Sequence, residues 1–521
     1  MNKVYIFDST LRDGAQGEGV SFSVEDKLAV VQYLDEFGVD YIEGGNPTSN
    51  PKDCEFFERV KDLKLKHTKI VAFTSTHKVG GRPEDDAALT AILNTGMEYI
   101  SVFGKSWDMH VTDIINATLE QNLEIISSTI NYLTKKGKTV FFDSEHFFDG
   151  YKANADYAME TLKAAYDAGA KALVLCDTNG ATFPFEIEEM VGKVKEVFGD
   201  VEIGIHVHND VGMAVASSIS AVRAGATHVQ GTFGGFGERC GNADLCTIIP
   251  NLQIKLRYSC VPEDKMPLLT QVARSICEAA NVAQDPRSPY VGAAAFAHKG
   301  GMHSDAVIKK PSSYEHLLPD DVGNSRRLLM SEVAGRSAIL PVLQLVEPSL
   351  KRDSVETKRI LEKLKEMEHN GYEFEGAESS LELLIARELG KFKPHFELGK
   401  FNVVVNEPNS EFSSIAAIKI SVGEIQEMTA AEGDGPVNAL DTALRKALEV
   451  FYPELKKMFL VDYKVRVLGA GEATASKVRV LITSTNGKET WHTVGVSTDI
   501  IDASWKALVD SVEYYLGQIV K

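Results

Sequence analysis

The sequence predicts an α/β protein: a (β/α)8 barrel, then a helical linker, then a C-terminal α+β domain with an internal βββα-type duplication. Three observations predict it. Apolar runs alternate with helical patterns in the first half, these runs number eight, and β-type patterns return near the end of the chain. At 521 residues the chain exceeds the usual size of one domain. We place the barrel at 1–275, the linker at 276–390 and the last domain at 391–521.

The eight apolar runs are short and rich in β-branched and aromatic residues. Helical periodicity lies between them, for example over Val24–Phe37, Ile114–Lys136 and Ala153–Ala168. Strands that are apolar throughout and separated by helices are typical of a parallel sheet covered on both faces. Eight such units fit a closed barrel, and an open doubly wound sheet is the alternative. The runs are VYIFD, YIEGG, KIVAFT, YISVFG, TVFFD, ALVLCD, IGIHVH and HVQGTF.

The region after the barrel, roughly 259–387, is predicted to consist of helices and loops without strands. From about Pro394 two similar segments follow, which begin AAIKISV and SKVRVLI. Each has two strands, a loop and a helix with 3.6-residue periodicity. The Gly, Val and Ser loop before each helix would leave backbone N–H groups free to bind a carboxylate. A ligand-binding domain and a purely structural duplication both remain open.

The composition excludes several functional classes. A formal net charge of −19 argues against general nucleic-acid binding, which needs clustered Lys and Arg. No apolar run approaches the ~20 residues of a membrane span, and the N-terminus lacks the layout of a signal peptide. The six cysteines include no C-x-x-C pair. We therefore expect reduced thiols in a cytoplasmic protein with no membrane or nucleic-acid partner.

The first strand ends in an unusual polar cluster, DSTLRDGAQ. It contains Asp8, Arg12, Asp13 and Gln16. In a (β/α)8 barrel the chemistry lies at the C-terminal ends of the strands. These residues are therefore either solvated loop residues or the first wall of an active site.

The HVHND run at the end of strand seven indicates a divalent metal site. His206 and His208 lie two apart, so they point to the same face of a strand. In a closed barrel strand eight neighbours strand one, which brings Asp13 near Asn242 in the loop GTFGGFGERCGN. Two nitrogen and two oxygen ligands suit Mn, Mg, Zn, Co or Fe. The alternatives are a cap or turn for Asp13 and the N-cap of the next helix for Asn242.

The glycine-rich loop GTFGGFGERCGN matches neither the dinucleotide-binding pattern nor the P-loop pattern. A tight loop that brings Asn242 to a metal explains its glycines better. Glu238 and Arg239 in this loop are expected to pair with each other or with neighbours.

Together, TLRDG, HVHND and GERCGN resemble the metal-dependent barrel family (the DRE-TIM metallolyases) of 2-isopropylmalate, homocitrate and citramalate synthases. Hydroxymethylglutaryl-CoA lyase is a more distant member. The resemblance covers almost the whole chain, including the linker FAHKGGMHSDAVIK and the duplicated C-terminal domain. TLRDGAQGEGVSFSVEDKL and YIEGGNPTSNPKD most resemble the citramalate synthase branch. Ala15 stands where many relatives have Glu, which disfavours the homocitrate branch.

The resemblance implies roles for individual residues in the barrel. Arg12 would lie beside the substrate keto group, and Gln16 and Thr178 would also bind the substrate. Glu145 matches an acid near the reacting carbon. The metal ligands would be Asp13, His206, His208 and Asn242.

The resemblance also implies roles outside the barrel. His303 matches a linker histidine that reaches the active site of a partner subunit, with Asp305 and Tyr314 as its companions. A homodimer follows from this assignment. The C-terminal domain matches one that binds an end-product amino acid, either isoleucine or leucine.

The reaction implied by the resemblance is a Claisen-type condensation of acetyl-CoA with a 2-keto acid. Glu145 and His303 are both candidates for the base that removes the methyl proton. Phenylalanines at strand ends favour an apolar keto acid, and we expect the nearby Lys105 to be a charged residue at the start of a helix. The branch resemblance favours pyruvate over 2-ketoisovalerate. A carbon–carbon lyase or aldolase, and an amino-acid sensor with an inert barrel, are the rival functions.

Overall fold

The structure is a computed structural model. It describes residues 2–48, 50–199, 201–298, 301–328, 340, 343–344, 347–351, 354–374, 376–405, 414–468, 476–487 and 489–519, with only the backbone of 301, 302, 304, 305 and 328. The chain divides into two compact units. The first is Met1–Ala297 with His316–Arg326, and the second is His298–Glu315 with Arg327–Lys521.

The first unit is built on a closed barrel of eight parallel strands in sequence order. Strand one pairs with both strand two and strand eight, which closes the ring. The predicted (β/α)8 barrel is confirmed, and the open-sheet alternative is wrong. The strands are β1 (Tyr5–Asp8), β2 (Tyr41–Glu43), β3 (Lys69–Ser75), β4 (Tyr99–Lys105), β5 (Thr139–Glu145), β6 (Ala172–Asp177), β7 (Glu202–Val207) and β8 (His228–Gly231).

Helices connect the strands. The prediction for Val24–Phe37 is confirmed, because a Ser23–Asp26 capping box starts this helix and Gly38 in the left-handed region ends it. The helices of the first unit are α1 (Val24–Phe37), α2 (Pro51–Arg59), α3 (Ala87–Asn94), α4 (Leu119–Lys135), α5 (Phe147–Ala153), α6 (Ala155–Asp167), α7 (Pro184–Val197), α8 (Ala214–Arg223), α9 (Leu245–Pro250) and α10 (Leu269–Ala279).

Two predicted helix starts are wrong. Helix α4 begins at Leu119 rather than Ile114, because Thr118 and Gln121 form a capping box there. Helix α6 begins at Ala155 because the Asn154 side chain accepts a hydrogen bond from Tyr157 N.

The N-terminal end of the barrel interior is filled by aromatic side chains. Phe7 and Phe141 meet edge to face with ring centroids 5.9 Å apart, and Tyr41 meets Phe141 in the same way at 5.0 Å. His228 lies among them and is fully buried. This packing leaves the C-terminal mouth as the place where the interior can hold polar groups.

The second unit contains the predicted duplication, which is confirmed as two copies of a three-stranded antiparallel sheet followed by a helix. The sequence segments quoted above contain the last two strands of each copy, and a further strand precedes each. Its elements are α11 (Gly301–Lys309), α12 (Val355–His369), α13 (Glu378–Glu388), β11 (Glu397–Val405), β12 (Ser414–Val422), β13 (Ile425–Gly433), α14 (Pro436–Leu448), β14 (Phe459–Leu468), β15 (Lys477–Thr485), β16 (Thr490–Ser497) and α15 (Ile500–Ile519).

The expectation of helices and loops alone over 259–387 is wrong in detail, because two-residue strands lie at Ala297–His298 (β9) and Arg327–Leu328 (β10). Within the described residues, no helix combines the length and apolarity that crossing a membrane requires.

Candidate metal centre at the barrel mouth

The ends of β1, β7 and β8 bring the predicted metal ligands together. Asp13 lies in a tight loop after β1, where the N–H groups of Asp13 and Gly14 both bond to Ser9 O. His206 lies on β7 and His208 just beyond it. A backbone bridge joins His208 to Asn242 and holds the loop after β8 against strand seven.

Asp13, His206 and His208 converge at one point. His206 Nε2 lies 3.2 Å from Asp13 Oδ2, and His208 Nε2 lies 3.8 Å from the same oxygen. The two Nε2 atoms are 3.4 Å apart. All three side chains are buried, and their ligand atoms lie within 4.8 Å of one another. The spacing allows all three atoms to bind one cation.

Asn242 lies beside His208 through their backbone bridge and does not cap a helix. Its Nδ2 donates to Phe236 O at 3.2 Å, and its Oδ1 is buried without a hydrogen-bond partner among the described residues. Gly237 has a φ of +154°, and a Cβ there would lie 2.2 Å from Asn242 Nδ2. Asp244, not Asn242, caps α9. An orphaned amide oxygen beside two imidazoles and a carboxylate fits a divalent cation.

Arg12 supplies the positive charge of the site. Its Nε donates to Glu43 Oε2 at 2.6 Å, and its Nη1 lies 3.4 Å from Asp13 Oδ2. Glu43 is fully buried and also accepts from Ser9 Oγ at 2.6 Å. Burial opposes charging of Asp13, but Arg12 and the histidines outweigh it and hold the pKa of Asp13 well below its usual value.

The two histidines differ in electrostatic environment. Burial and the neighbouring His206 lower the pKa of His208 to about 4. Burial also acts to lower the pKa of His206, but hydrogen bonding and attraction to Asp13 raise it overall. His208 is therefore neutral, as a metal ligand must be, across the physiological range.

Two stacked phenylalanines form one wall of the mouth. The Arg12 guanidinium carbon lies 4.0 Å from the centroid of the Phe73 ring, and Phe73 stacks on Phe103 at 5.3 Å. The cavity beside them has a volume of about 240 Å³. Its lining includes the predicted substrate residues Arg12, Gln16 and Thr178.

Glu145 lines the same cavity and forms an ion pair with Lys105. The expectation that Lys105 begins a helix is wrong: it ends β4, directly opposite Glu145 on β5. Thr178 Oγ1 accepts from His146 N at 2.9 Å, which leaves its own hydrogen free to donate.

Arg239 pairs with its neighbours, as expected. It forms a bidentate pair with Asp210, at 2.8 and 2.9 Å, and donates to Thr178 O at 2.7 Å. Its contact with Glu238 is longer, at 3.9 Å. These bonds tie together the loops that follow β6, β7 and β8.

His303 and Tyr314 lie in the second unit, where their rings stack with centroids 4.2 Å apart. His303 and Asp305 both lie on α11, but the side chain of Asp305 is outside the described residues.

Sequence reasoning missed several buried polar residues at the mouth. Glu43 ends β2, Asp143 lies on β5 two residues before Glu145, and Gln230 on β8 stands in register with His206. The sequence feature that could have identified them is a polar residue inside an apolar run or at its end. A period of two would have placed Asp143 on the same face as Glu145.

Three family models match the chain. Residues 3–275 match the HMGL-like family, residues 290–372 the homocitrate synthase post-HMGL domain-like family, and residues 375–516 the LeuA allosteric (dimerisation) domain. An (R)-citramalate synthase of Aquifex aeolicus is 49% identical over 516 residues, 99% of this chain and 98% of that protein. One of Geobacter sulfurreducens is 50% identical over 520 residues, with the same coverage. A probable 2-isopropylmalate synthase of Methanopyrus kandleri is 32% identical over 512 residues, 98% of each chain.

Proposed function

The chain belongs to the (R)-citramalate synthase family, and we propose how its barrel condenses acetyl-CoA with pyruvate and water to give citramalate and CoA. The observation that carries the proposal is the convergence of Asp13, His206 and His208, and Asn242, whose backbone bridges to His208 and whose amide oxygen is orphaned, is the proposed fourth ligand. A divalent cation held by these four residues would supply Lewis-acid polarisation of a keto oxygen. The donor set does not choose between Mn, Mg, Zn and Co.

Arg12 is proposed to stabilise the negative charge that develops on the keto oxygen. A guanidinium stays charged at every physiological pH, and attraction to Glu43 and Asp13 raises the pKa of Arg12 further despite burial. The Glu43 bond and the Phe73 ring fix its orientation before substrate binds. Fixed charges of this kind need no reorganisation during reaction. Thr178 and Gln16 would hold the substrate carboxylate.

Glu145 and His303 remain the two candidates for the base that takes a proton from the acetyl methyl group. The carbanion formed attacks the keto carbon, and water then cleaves the thioester to release CoA. Lys105 holds the Glu145 carboxylate in place through their ion pair. His303 would come from a partner subunit, with Asp305 and Tyr314.

The Phe73–Phe103 wall suits an apolar keto acid, and the preference for pyruvate over 2-ketoisovalerate, which carries two more methyl groups, rests on the (R)-citramalate synthase relatives. The relatives named 2-isopropylmalate synthase are also less similar, at 31–32% identity. The test is CoA release with each keto acid at saturating acetyl-CoA. We expect kcat/KM for pyruvate to be higher by about 100-fold, within the range that pocket size alone provides. Equal or greater kcat/KM for 2-ketoisovalerate would refute the substrate assignment.

We propose that the second unit binds an amino-acid effector, isoleucine or leucine. A cavity of about 570 Å³ there is lined by Val437, Asp441, Arg445 and Tyr463. Arg445 Nη2 is buried without a hydrogen-bond partner among the described residues, so it suits a carboxylate. Gly435 has no side chain to cap α14, so backbone N–H groups in the first turn of this helix stay open to a carboxylate. At the start of α15, by contrast, the Asp499 side chain accepts a hydrogen bond from Ile501 N. Calorimetric titration with both amino acids tests this; binding unchanged in Arg445→Met would refute the cavity assignment.

We propose a homodimer in which one chain's linker serves the other chain's barrel. The match to a LeuA allosteric (dimerisation) domain supports association through the second unit. Mixing His303→Ala chains with Glu145→Ala chains should restore part of the activity, because each mixed dimer then has one intact site. No recovery after subunit exchange, shown by mixed mass tags, would contradict the shared site.

A further inference from the structure

Four buried polar side chains form a hydrogen-bonded network beside the candidate metal centre, each from a different strand. Ser101 Oγ on β4 donates to Asp143 Oδ2 on β5 at 2.6 Å. Gln230 Nε2 on β8 donates to Asp143 Oδ1 at 3.1 Å. Gln230 Oε1 lies 3.0 Å from His206 Nδ1 on β7. All four side chains are buried, and we call this set the buried polar network.

The buried polar network has one consistent hydrogen-bonding direction. A carboxylate only accepts hydrogen bonds, so Gln230 turns its N–H₂ toward Asp143 and its carbonyl toward His206. His206 Nδ1 must then carry the proton that this carbonyl accepts. Nε2 faces Asp13, so it is the ring nitrogen that would bind a cation once the proton it shares with Asp13 is displaced. A protonated Nε2 could not bind a cation.

We propose that Gln230, anchored by Asp143, is a positioning residue that fixes His206 in its metal-binding tautomer and orientation. The proposal deepens the proposed function and rests on its metal site. An apolar residue in place of Gln230 would leave His206 Nδ1 and one Asp143 oxygen without partners in the barrel interior, which is costly. His208 differs, because its Nδ1 has no hydrogen-bond partner among the described residues. The network therefore orients one imidazole of the pair.

The test uses the metal-free full-length protein labelled with ¹⁵N-histidine, and then Mn²⁺ as the probe. Two-bond ¹H–¹⁵N correlation spectra report which ring nitrogen of His206 carries the proton. Mn²⁺ titration followed by the EPR signal of the free ion gives the dissociation constant. Gln230→Met removes the hydrogen bonds at similar volume, and Gln230→Glu keeps an acceptor for His206. Gln253→Met is the matched control, because buried Gln253 bonds Cys260 N and Val261 N away from the site.

We expect a proton on Nδ1 of His206, shared with Gln230, in wild type and in Gln253→Met, with equal Mn²⁺ affinity. Gln230→Met should lose this tautomer preference and bind Mn²⁺ about 10- to 100-fold more weakly, the usual cost of losing such a partner. Gln230→Glu should bind more tightly than Gln230→Met.

Wild-type tautomer and affinity in Gln230→Met would overturn the positioning role. If Gln230→Met does not fold, the wild-type spectrum decides, since a His206 Nδ1 without a proton in the metal-free protein contradicts the proposal. Failure of wild type to bind Mn²⁺ at all would instead overturn the metal site of the proposed function.

Discussion

The barrel mouth buries its charged residues, whereas the sheets of the second unit leave apolar residues in solvent. Asp13 is 3% exposed and Glu43 0%, yet Met428 is 67%, Val405 66% and Phe459 58% exposed. Buried charges are tolerated only when paired, and the mouth pairs them within one chain. Exposed apolar faces of this kind indicate an interaction surface. The comparison separates a region whose buried charges are paired within the chain from a region whose exposed apolar faces fit the proposed association of two chains.

The strongest way to break this comparison is to remove a predicted metal ligand. Asp13→Ala or His206→Ala should lower kcat by at least ~10³-fold, because loss of the cation removes several kcal/mol of transition-state stabilisation. The fold should survive, as judged by circular dichroism. His67→Ala, at an exposed histidine of the same unit, is the control. Wild-type turnover in either ligand variant would refute the assignment.

The second prediction tests whether the Lys105–Glu145 ion pair positions Glu145 for the reaction. Lys105→Met should lower kcat by about 10- to 100-fold, because misplacing a catalytic group by about 1 Å costs that much. Lys105→Arg, which keeps the charge, should retain more activity. Steady-state kinetics with both substrates provides the measurement, and an unchanged kcat in Lys105→Met would show that the pair is only structural.

Charged substitutions test whether the exposed sheet faces of the second unit form the proposed dimer interface. Phe459→Asp or Met428→Asp should raise the dimer dissociation constant by ~30-fold, since burying an unpaired carboxylate costs about 2 kcal/mol or more. Sedimentation equilibrium measures the change, and Mn²⁺ binding by the barrel should be unaffected. Glu449→Asp, at the residue that follows α14, is a conservative control. A dimer of unchanged stability would show that these faces do not form the interface.

The last prediction concerns the pH dependence of stability and a buried acid at the end of β1, Asp8. Burial raises the pKa of Asp8 to about 7, against 3.8 for the unperturbed group. The native state therefore holds a proton that the unfolded state releases between pH 4 and 7, so stability falls as pH rises through this window. The loss is at most about 1.4 kcal/mol per pH unit.

In Asp8→Asn this contribution to the pH dependence should disappear. Urea unfolding at pH 5 and pH 7 provides the comparison. Parallel losses of stability in wild type and Asp8→Asn over this interval would contradict the assignment.

The sequence pattern was sufficient for the barrel because its strands are apolar on both faces. It was also sufficient to predict that Asp13, His206, His208 and Asn242 lie at the same end of the barrel, since this follows from the order of the strands. It was not sufficient for Lys105, whose strand extends one residue beyond the run YISVFG because Lys105 pairs with Glu145. Such cross-strand pairing is a tertiary contact that local periodicity does not contain.

The hydrogen-bond partners of the ligands were the least predictable part of the site. Gln230 and Asp143 are far apart in sequence, and only the closed barrel brings them within 3.1 Å. The orientation of the Asn242 amide likewise depends on Phe236 O and on the open space at Gly237. These are the contacts that turn a set of suitable residue types into an oriented set of donor atoms.

The most direct test of the central claim is metal restoration. Chelator-treated enzyme is titrated with Mn²⁺ while bound ions per chain and pyruvate-dependent CoA release are measured together. We predict that activity is absent without metal and returns in proportion to one bound ion per chain, with no such recovery in Asp13→Ala. Full pyruvate-dependent CoA release from enzyme that holds no metal would contradict the account.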